Sequence, residues 1–597
     1  MTAWGGRRLR IAALTQPARF PTVVHDPGRW WPAALLAGHE LVRLDLNAAW
    51  WRWVCSADGY RALCGGSSFH AWLPSPGERD AAAAGVALRQ LADAATYETA
   101  ERYVATLAPL ERYLDLLAGE SPDISVQWAA GPVVRHADYA DSRSLLHHAT
   151  RRGVFGRSID EVLPPELPML DLVVVSVTAP EDLLSAMAVV HRLRQRQPQL
   201  HACLADHGFE NFSLRPHVDT LRKTGALTNA FDSIVVGRDD RDSVVSGLAE
   251  ALTAGDSPSG WLTAADVPVR SVEPPESIRR FPPAALVPPP SESFSPEPIL
   301  LTRVSQRRCY WSRCTFCIHN AKYDNPAPPS LSEVESAVDR VAAQLDAGYR
   351  HLIFLDEALS PALLTRLAEQ LTARGLPDRG LRWAGRSKLE HAHDSELFQA
   401  VRRAGAVELL FGIESTSERT LRRMDKHTDG LTAERVLDVL TSAADAGLGL
   451  HVNMIAGFPG DGPRDLEASL AFVERVGRLP NVTFTVNPFV VFPATPVHDN
   501  PRRFNVALDR ERGDMQAIRG YRVTGADAAP WRESMERLPR LVQQLRETLG
   551  WSRYDMMPGG RLAMDLYFGT GHSTWLKAMP GNPLIQGKPT HREVVMA

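Results

Sequence analysis

The sequence predicts an α/β protein that contains two successive parallel sheets. Three observations lead to this fold class. Short apolar strands alternate with helical patterns over residues 1–254, and six further strands with five intervening helices follow at a stricter spacing over 299–496. Between them, residues 255–298 are rich in Pro and Ser and have no periodicity. Because such alternation is typical of parallel sheets covered by helices, we expect a doubly wound domain, a connector, a partial (β/α)6 barrel and a small irregular region, 497–597.

The composition is that of an ordinary globular protein. The chain has 597 residues, with 66 Lys and Arg against 70 Asp and Glu, so its formal net charge is −4. This near balance gives no reason to expect nucleic acid or an anionic membrane as a partner. The apolar stretch Ile11–Leu14 is too short for a signal peptide, and Leu170–Val177 is far shorter than the roughly 20 residues that span a bilayer. We therefore expect a cytoplasmic protein with no membrane segment.

The doubly wound domain is predicted from five strands and the helices between the later ones. An Ala-rich helical pattern over roughly 78–119 indicates an insert in this alternation. The strand candidates are Leu9–Leu14, Glu40–Leu46, Asp171–Val177, Leu200–Leu204 and Ser233–Val236.

The barrel is predicted from a repeated strand and helix unit. Ser330 and Glu333 form a capping-box pattern before its first helix, and Ser360 and Pro361 open the second. In parallel β/α barrels the chemistry lies at the C-terminal ends of the strands. The predicted strands are Ile299–Val304, His351–Leu355, Leu381–Gly385, Val407–Gly412, Leu448–Ala456 and Val482–Phe492. Glycines suited to left-handed helix caps follow the helices at Gly348, Gly375, Gly405, Gly447 and Gly477.

Three of the six cysteines, Cys309, Cys314 and Cys317, fall within nine residues directly after the first barrel strand. Three thiolates can hold three irons of a four-iron four-sulfur cluster and leave the fourth iron open to a substrate. Arg308 and Arg313 would supply positive charge that favours thiolates. These residues alone also allow a zinc site with His319 as the fourth ligand. The other cysteines, Cys55, Cys64 and Cys203, are predicted to be small buried hydrophobic residues.

The cysteine stretch from Arg308 to Cys317 resembles the cluster loop of the radical S-adenosylmethionine (SAM) superfamily. That superfamily usually has Cys-x3-Cys-x2-Cys, whereas the first spacing here is one residue longer, and we expect the extra residue to loop out. Further segments at the ends of later strands support the resemblance and favour the cluster over zinc. They are Phe354-Leu-Asp-Glu-Ala-Leu359, Phe411-Gly-Ile-Glu-Ser-Thr-Ser417, Leu421-x-x-Met424-x-Lys426, Asn453-Met-Ile-Ala-Gly-Phe-Pro-Gly460 and Phe492-Pro-Ala-Thr-Pro496.

The resemblance implies that the open iron chelates SAM, and that one electron from the cluster cleaves SAM to methionine and a 5′-deoxyadenosyl radical. It also implies a set of SAM-binding residues by position. These are Phe316 near the adenine, Asp356 and Glu357 at the methionine ammonium, Arg386 or Lys388 at the carboxylate, Glu414 and Ser415 at the methionine or ribose, Asn453 on the fifth strand, and Gly457 with its neighbouring backbone at the adenine. The alternatives are an ordinary ion-pair network for the charged residues and a satisfied polar group for Asn453.

A doubly wound domain before a radical barrel resembles the cobalamin-binding class of this superfamily. The supporting segments are Leu44–Asn47, Asp171–Val177, Ala202–Gly208 and Phe231–Gly237. Since such Rossmann-like sheets bind ligands at the C-terminal ends of their strands, the resemblance implies that loops 177–181, 206–211 and 237–240 line a corrin. The sequence has no Asp-x-His-x-x-Gly loop around His25 or His207, and it has Ala205-Asp206 where the class usually has Gly-Gly. A domain without cofactor stays as the alternative.

The resemblance implies a cobalamin-dependent radical SAM methyltransferase that acts on an unactivated carbon. A peptide or a specialised metabolite is the expected substrate, because richness in Ala, Arg and Pro is typical of high-GC genomes that make natural products. The implied partners are a 4Fe-4S cluster, SAM, cobalamin and an electron donor such as flavodoxin or ferredoxin. The alternatives are a non-methylating radical SAM enzyme (an epimerase, cyclase or cross-linking enzyme) and a metal-stabilised binding protein. Residues 497–597 are expected to cover the barrel mouth, with Tyr554, Tyr567 and His572 as candidate substrate contacts.

Overall fold

The computed structural model divides the chain into two compact units. Unit 1 comprises 1–298, 346–348 and 511–517, and unit 2 comprises 299–345, 349–510 and 518–597. No helix among the described residues is long and apolar enough to cross a membrane. The candidate substrate contacts Tyr554, Tyr567 and His572 lie outside the described residues. Those residues are 7–18, 23–25, 31, 34–35, 37–65, 74–127, 131–206, 212–236, 241–268, 294–297, 299–305, 307–321 and 327–549.

Unit 1 is built on a parallel sheet with the strand order β3-β1-β6-β7-β8-β9. This order confirms the predicted doubly wound class. It reverses at β1, which has β3 on one side and β6 on the other, so the ligand crevice expected for this fold lies at the C-terminal ends of β1 and β6. The strands of the unit are β1 Arg10–Thr15, β2 Val23–His25, β3 Glu40–Asp45, β4 Ile124–Gln127, β5 Gly131–Val134, β6 Leu172–Val177, β7 His201–Asp206, β8 Ser233–Val235 and β9 Gly260–Leu262.

Three features of unit 1 differ from the sequence analysis or extend it. The strand β9 lies in the segment assigned to the connector and pairs with β8. The helical insert consists of two helices, Pro76–Leu91 and Ala100–Glu120, which pack together and lead into the antiparallel pair β4 and β5. Cys55 and Cys203 are buried as predicted, whereas Cys64 at a helix end is only half-buried. The other helices are Asn47–Val54, Ala57–Cys64, Ser142–Thr150, Val154–Val162, Pro180–Arg196, Val218–Thr224, Ala226–Ala230 and Arg241–Ala254.

Unit 2 contains the six predicted barrel strands, all parallel and paired in chain order. Among the described residues the first and last of them do not pair with each other, so the barrel is partial. Apolar side chains on one face of each strand pack against the helices and form the core. The strands are β10 Ile299–Thr302, β11 His351–Phe354, β12 Arg382–Ser387, β13 Ala406–Glu414, β14 Gly449–Ala456 and β15 Val482–Pro488; a small antiparallel pair, β16 Val506–Leu508 and β17 Tyr521–Val523, follows.

The helices of unit 2 begin where the sequence predicts. The Ser330 and Glu333 groups cap each other, since the Glu333 amide donates to Ser330 Oγ at 3.3 Å and the Ser330 amide donates to Glu333 Oε2 at 2.9 Å. Ser360 Oγ accepts from the Leu363 amide at 3.2 Å. The helices are Leu331–Asp346, Pro361–Ala373, Ser395–Arg403, Glu418–Arg423, Ala433–Asp445, Pro463–Gly477, Pro496–Asp499 and Ala528–Leu549.

The glycine caps are confirmed at four positions and wrong at the fifth. The backbone is left-handed at the first four, with φ of +102° at Gly348, +63° at Gly375, +96° at Gly405 and +79° at Gly447. Gly477 is instead the last residue of its helix, and a Cβ there would lie 2.6 Å from Leu549 Cδ1. Gly477 thus lies under the Leu549 side chain of the C-terminal helix.

Candidate active site at the cysteine loop

The three cysteines lie on one loop that follows β10, and each is half-buried. Burial is the main effect on all three thiols, and it raises the pKa of Cys314 to about 11 and the pKa of Cys309 and Cys317 as well. The Lys426 ammonium acts in the opposite direction on Cys309 and Cys314. A metal that binds here would have to displace the thiol protons, and nearby ammonium charge makes that displacement easier.

The longer cysteine spacing is accommodated at Ser312. Its backbone is left-handed, with φ +47°, and its hydroxyl donates to the Cys309 carbonyl. The neighbouring arginines hold the loop rather than lying free beside the thiols. Arg308 donates to the Asn320 carbonyl at 2.6 and 3.1 Å, and Arg313 donates to Asp425 Oδ1 at 2.6 and 3.1 Å.

The cysteine loop is also bound through Thr315 to two later segments of unit 2. The Thr315 amide donates to the Met424 carbonyl at 2.9 Å, and its hydroxyl donates to the Arg423 carbonyl at 3.1 Å. The Val497 amide donates to the Thr315 carbonyl at 3.1 Å. The segment Leu421–Lys426, which the sequence analysis associates with the cluster loop, is thus a direct backbone partner of that loop.

The carboxylate of Asp356 binds the backbone at the start of the cysteine loop. Asp356 Oδ2 accepts from the Val304 amide at 2.7 Å, and Oδ1 accepts from the Ser305 amide at 2.9 Å and from its hydroxyl at 3.2 Å. The residue is buried, and burial raises the pKa of its carboxyl group despite these donors. The carboxylate of Asp356 thus holds the chain between β10 and the cysteines, and its role at the methionine ammonium stays a prediction.

Glu357 lies among cations and close to the cysteines. Its carboxylate is 2.7 Å from His319 Nδ1 and 3.9 Å from Arg303 Nη1, and its side chain is 3% exposed. Its charge raises the pKa of Cys309 and Cys317. Of the two predicted ammonium ligands, Glu357 is the one that lies at the thiols.

Glu414 and Lys426 form a buried ion pair at the C-terminal end of β13. Lys426 Nζ donates to Glu414 Oε1 at 2.7 Å, and the two side chains are 12% and 10% exposed. Burial alone would lower the pKa of Lys426, but Glu414 and Cys314 outweigh it and raise that pKa. Gly412 makes room for the pair, because a Cβ there would lie 2.3 Å from Glu414 Oε1 and 2.6 Å from Lys426 Nζ. Glu414 adopts a left-handed backbone, with φ +67°, at a bulge in β13.

Phe316 lies near this ion pair, and Ser415 follows Glu414 in the chain. The Phe316 ring is half-buried against the apolar cluster around Met424, Phe458 and Phe489, and Lys426 Nζ lies 6.0 Å from its centroid. Ser415 is buried, and its hydroxyl accepts from the Ser417 amide at 3.1 Å. The ring of Phe316 thus lies near the Lys426 ammonium, and the adenine contact stays a prediction.

Arg386 lies near the end of β12, and Lys388 directly follows the strand. Arg386 lies on β12 at the position that pairs with Leu410, and its carbonyl accepts from the Leu359 amide at 2.8 Å. Lys388 is buried, and its Nζ donates to Thr428 Oγ1 at 2.7 Å. Burial lowers the pKa of Lys388. Both residues stay candidates for the SAM carboxylate, as the sequence predicts.

Asn453 belongs to a polar network on β14 and β15. The Met454 side chain lines a small cavity together with Leu466 and Leu470 of a barrel helix. Asn453 and His451 therefore lie on the opposite, inner face of β14. Asn453 Oδ1 accepts from His451 Nε2, at 3.0 Å, and from the Thr485 hydroxyl. His451 Nδ1 accepts from the Thr483 hydroxyl at 2.7 Å.

This network fixes the side-chain amide of Asn453. Since both of its acceptor positions are used, its NH2 group faces away from the network, and it donates to no group among the described residues. Within the described residues, the Oδ1 atom of Asn453 thus has its hydrogen-bond partners, whereas the NH2 group has none. On β15, Asn487 Oδ1 is buried and accepts no hydrogen bond from the described part of the chain.

Gly457 lies under the C-terminal helix Ala528–Leu549. Its carbonyl accepts from Trp531 Nε1 at 2.7 Å, and its φ is +74°. A Cβ at Gly457 would lie 2.2 Å from Met535 Sδ. Besides the predicted adenine contact, the glycine is required for docking of this helix.

Replacing Gly457 with alanine is expected to loosen the helix Ala528–Leu549. The backbone strain of a left-handed alanine costs about 1–2 kcal/mol, and the contact with Met535 adds to it. Hydrogen exchange measured by mass spectrometry should show faster exchange in peptides from this helix. The control is Gly525→Ala, since Gly525 has φ +68° but no atom within 4 Å of its Cβ position. Equal exchange in the two variants would show that Met535 simply moves aside.

The crevice of unit 1 carries a buried polar group with an unused acceptor. Gln16 follows β1, and its Nε2 donates to the Ser176 carbonyl of β6 at 2.8 Å, while its Oε1 is buried without a partner among the described residues. Asp182 accepts from the Thr178 amide at 2.9 Å and orders the loop after β6. Of the other predicted corrin loops, 206–211 and 237–240, all residues after Asp206 lie outside the described residues, His207 included.

The sequence analysis missed several residues of the candidate site. Tyr310 and Trp311 bind Glu390 and the Asp425 carbonyl, Lys426 pairs with Glu414, and His451 and Thr485 orient Asn453. The available signal for Lys426 was its place at the end of the motif Leu421-x-x-Met424-x-Lys426. In the described part of the chain no three His, Cys, Asp or Glu side chains, the three cysteines included, are grouped around one metal position.

Comparison with known proteins identifies the barrel. The family model described as the radical SAM superfamily matches residues 304–473. A relative named as the uncharacterized methyltransferase PH0819 of Pyrococcus horikoshii is 26% identical over 147 residues, which are 24% of this chain and 30% of that protein.

Two solved structures are similar to this chain at low identity. The first is the radical SAM methyltransferase TsrM from Kitasatospora setae, solved with tryptophan and a SAM analogue; it is 15% identical, with a TM-score of 0.46, over 68% of this chain and 86% of that chain. The second is the cobalamin-dependent SAM radical enzyme OxsB with aqua-cobalamin; it is 15% identical, with a TM-score of 0.43, over 67% of this chain and 61% of that chain.

The family match and the site agree on the same segment. Residues 304–473 contain the cysteine loop, the strands β11 to β14 and the Glu414 and Lys426 pair. The chain therefore carries a radical SAM domain over residues 304–473.

Proposed function

We propose that this radical SAM enzyme is a cobalamin-dependent methyltransferase that acts on an unactivated carbon. The observation that carries the proposal is the joint presence, in one chain, of a doubly wound sheet whose order reverses at β1 and a radical SAM barrel with a cysteine loop after its first strand. The first architecture offers a crevice for a large planar cofactor, and the second offers a radical source. The name of the Pyrococcus horikoshii relative as a methyltransferase agrees with this proposal.

The residues of unit 2 fit a four-iron four-sulfur cluster and SAM. Cys309, Cys314 and Cys317 would hold three irons, and Glu357 would bind the methionine ammonium. Arg386 would bind the carboxylate, and the NH2 group of Asn453 would donate to a SAM oxygen. When bound, the cluster supplies one electron for reductive cleavage of SAM.

The remaining predicted SAM contacts form the walls of this site. Phe316 would pack on the adenine, and the Gly457 backbone would lie at its edge. Ser415 would face the ribose. Glu414 would act through its pair with Lys426, which holds positive charge near Cys314. Asp356 would position the cysteine loop without touching SAM.

Unit 1 has groups that fit cobalamin. The unused acceptor Oε1 of Gln16 suits an amide N–H, and the corrin periphery carries amide side chains. The Thr178 loop, ordered by Asp182, would form a second edge of that site. When bound, cobalamin supplies a transferable methyl group. The chain's part is to place the ring at the ends of β1 and β6 and to exclude water from it.

The proposal includes the following assignments of substrate, partners and domains. The substrate is a peptide or a small molecule of specialised metabolism, and electrons come from a flavodoxin or ferredoxin in the cytoplasm. Nucleic acid has no role. Residues 1–254 together with β9 at 260–262 would form the cobalamin-binding domain, the rest of 255–298 the connector, 299–496 the radical SAM barrel and 497–597 the substrate or cap region.

Cobalamin stoichiometry tests the proposal. We expect the full chain, reconstituted anaerobically with iron, sulfide and hydroxocobalamin and then desalted, to retain equimolar corrin and to form methylated product. The Cys314→Ala variant is the matched control, since it should lose iron and keep corrin. A chain that cleaves SAM without retaining corrin would instead support the alternative, a non-methylating epimerase, cyclase or cross-linking enzyme that uses unit 1 as a scaffold.

A further inference from the structure

The four residues between Cys309 and Cys314 contact two other loops of unit 2. The Tyr310 hydroxyl donates to Glu390 Oε1 at 2.8 Å, beyond the end of β12. Trp311 Nε1 donates to the Asp425 carbonyl at 2.7 Å, and Arg313 pairs with the Asp425 carboxylate. The insert that makes the cysteine spacing longer is therefore fixed at both ends by specific polar contacts.

The Trp311 ring is the contact surface for two cations. Lys388 Nζ lies 3.8 Å from the ring centroid, and Arg313 Cζ lies 4.7 Å from it. An ammonium over an indole face is held by the ring quadrupole, and this attraction grows as water is excluded. The ring thus stabilises an ammonium group beside the cysteine loop.

Lys388 is an unusual residue to find at this place. Its side chain is 6% exposed, and its nearest carboxylate, Glu390, is 3.6 Å away and shared with Tyr310. Burying an ammonium is costly unless it has compensating partners. Thr428, the Trp311 ring and Glu390 provide them.

We propose that Trp311 and Lys388 form an electrostatic positioning pair that raises the reduction potential of the cluster bound at Cys314. This inference rests on the proposed cluster of this site. A reduced cluster carries one more negative charge than an oxidised one, so a buried cation beside it favours the reduced form. Net charge and solvent exposure are among the main determinants of iron–sulfur potentials. Burial also protects the interaction from screening by salt.

The test is an anaerobic redox titration of the reconstituted full chain, followed by electron paramagnetic resonance without SAM. We expect Lys388→Met to shift the midpoint potential to a more negative value, and Lys388→Arg to restore it. Trp311→Leu should shift it in the same direction, and the double variant should not exceed Lys388→Met, because the two residues act as one unit. Lys223→Met is the matched control, since Lys223 is exposed in unit 1.

Iron and sulfide analysis, done first, separates this inference from the proposed function. If the wild-type chain takes up no iron and sulfide, the cluster proposal itself fails. If Lys388→Met loads a full cluster at an unchanged potential, the electrostatic role is overturned and Trp311 is only a packing residue. If Lys388→Met does not load, the same comparison is made with Lys388→Gln, which keeps a donor for Thr428; an unchanged potential there overturns the inference as well.

A competing role for Lys388 predicts a different pattern. If its ammonium bound the SAM carboxylate, Lys388→Met would weaken SAM binding and leave the potential measured without SAM unchanged. That outcome also overturns the inference. The expected pattern is a shifted potential with a SAM dissociation constant close to that of the wild-type chain.

Discussion

Replacing Cys314 with alanine is expected to abolish the iron–sulfur chromophore and all reductive cleavage of SAM. Cys314 is the central ligand of the loop, its thiol lies near Lys426 and Lys388, and its carbonyl accepts from Asn320 Nδ2 at 3.3 Å. A two-cysteine site cannot hold a four-iron cluster stably, since such clusters are held by Cys thiolates. The measurement is iron and sulfide per chain after anaerobic reconstitution, followed by quantification of 5′-deoxyadenosine.

Cys64→Ala provides the control for this experiment. Cys64 is half-buried at a helix end in unit 1, and we expect its loss to leave iron, sulfide and SAM cleavage unchanged. Zinc in the wild-type chain without sulfide would contradict the expected result, and it would support the zinc alternative with His319. Partial cluster retention in the Cys314 variant would indicate that a fourth residue can ligate iron.

The strands and the cysteine loop were predictable because their signals are local. The strands β11 to β14 each follow a helix that ends at a left-handed glycine, and parallel pairing then follows from the helices between them. The position of the cysteines after the first strand follows from the same reasoning. The strand β9 was missed because Gly260–Leu262 is short and is followed directly by polar and proline residues.

The side-chain partners of the site could not be predicted, because they are chosen by tertiary packing. Sequence position alone made Asp356 and Glu357 equivalent, whereas the bend after β11 directs Asp356 to backbone amides and Glu357 to the cysteines. Similarly, the sequence around Gly477 is that of a helix cap, but in the structure this glycine lies under the Leu549 side chain. Contacts between segments about a hundred residues apart, such as Trp311 with Asp425, have no signal in either segment.

Replacing Lys426 with methionine is expected to destabilise unit 2 strongly. The change leaves the Glu414 carboxylate buried without its cation, and removing one partner of a buried pair costs roughly 3–5 kcal/mol. Native-state hydrogen exchange of peptides that cover β13 and the helix Glu418–Arg423 measures this loss, because it reports the free energy of local opening. Arg475→Met is the control, since its pair with Glu434 is exposed and we expect little change there.

The double variant Glu414→Gln with Lys426→Met separates the two reasons for such a loss. If the cost comes from an uncompensated carboxylate, the double variant should recover much of the protection against hydrogen exchange. Both charges of the pair are then absent, so no unpaired charge stays buried. If protection is not recovered, the Lys426 stem is needed for packing against Phe316, and its charge contributes little to stability. The left-handed backbone at Glu414 and the absence of a side chain at Gly412 favour the first explanation. The left-handed backbone and the glycine together let the Glu414 carboxylate reach Lys426. If the lysine were needed for packing alone, neither feature would be required.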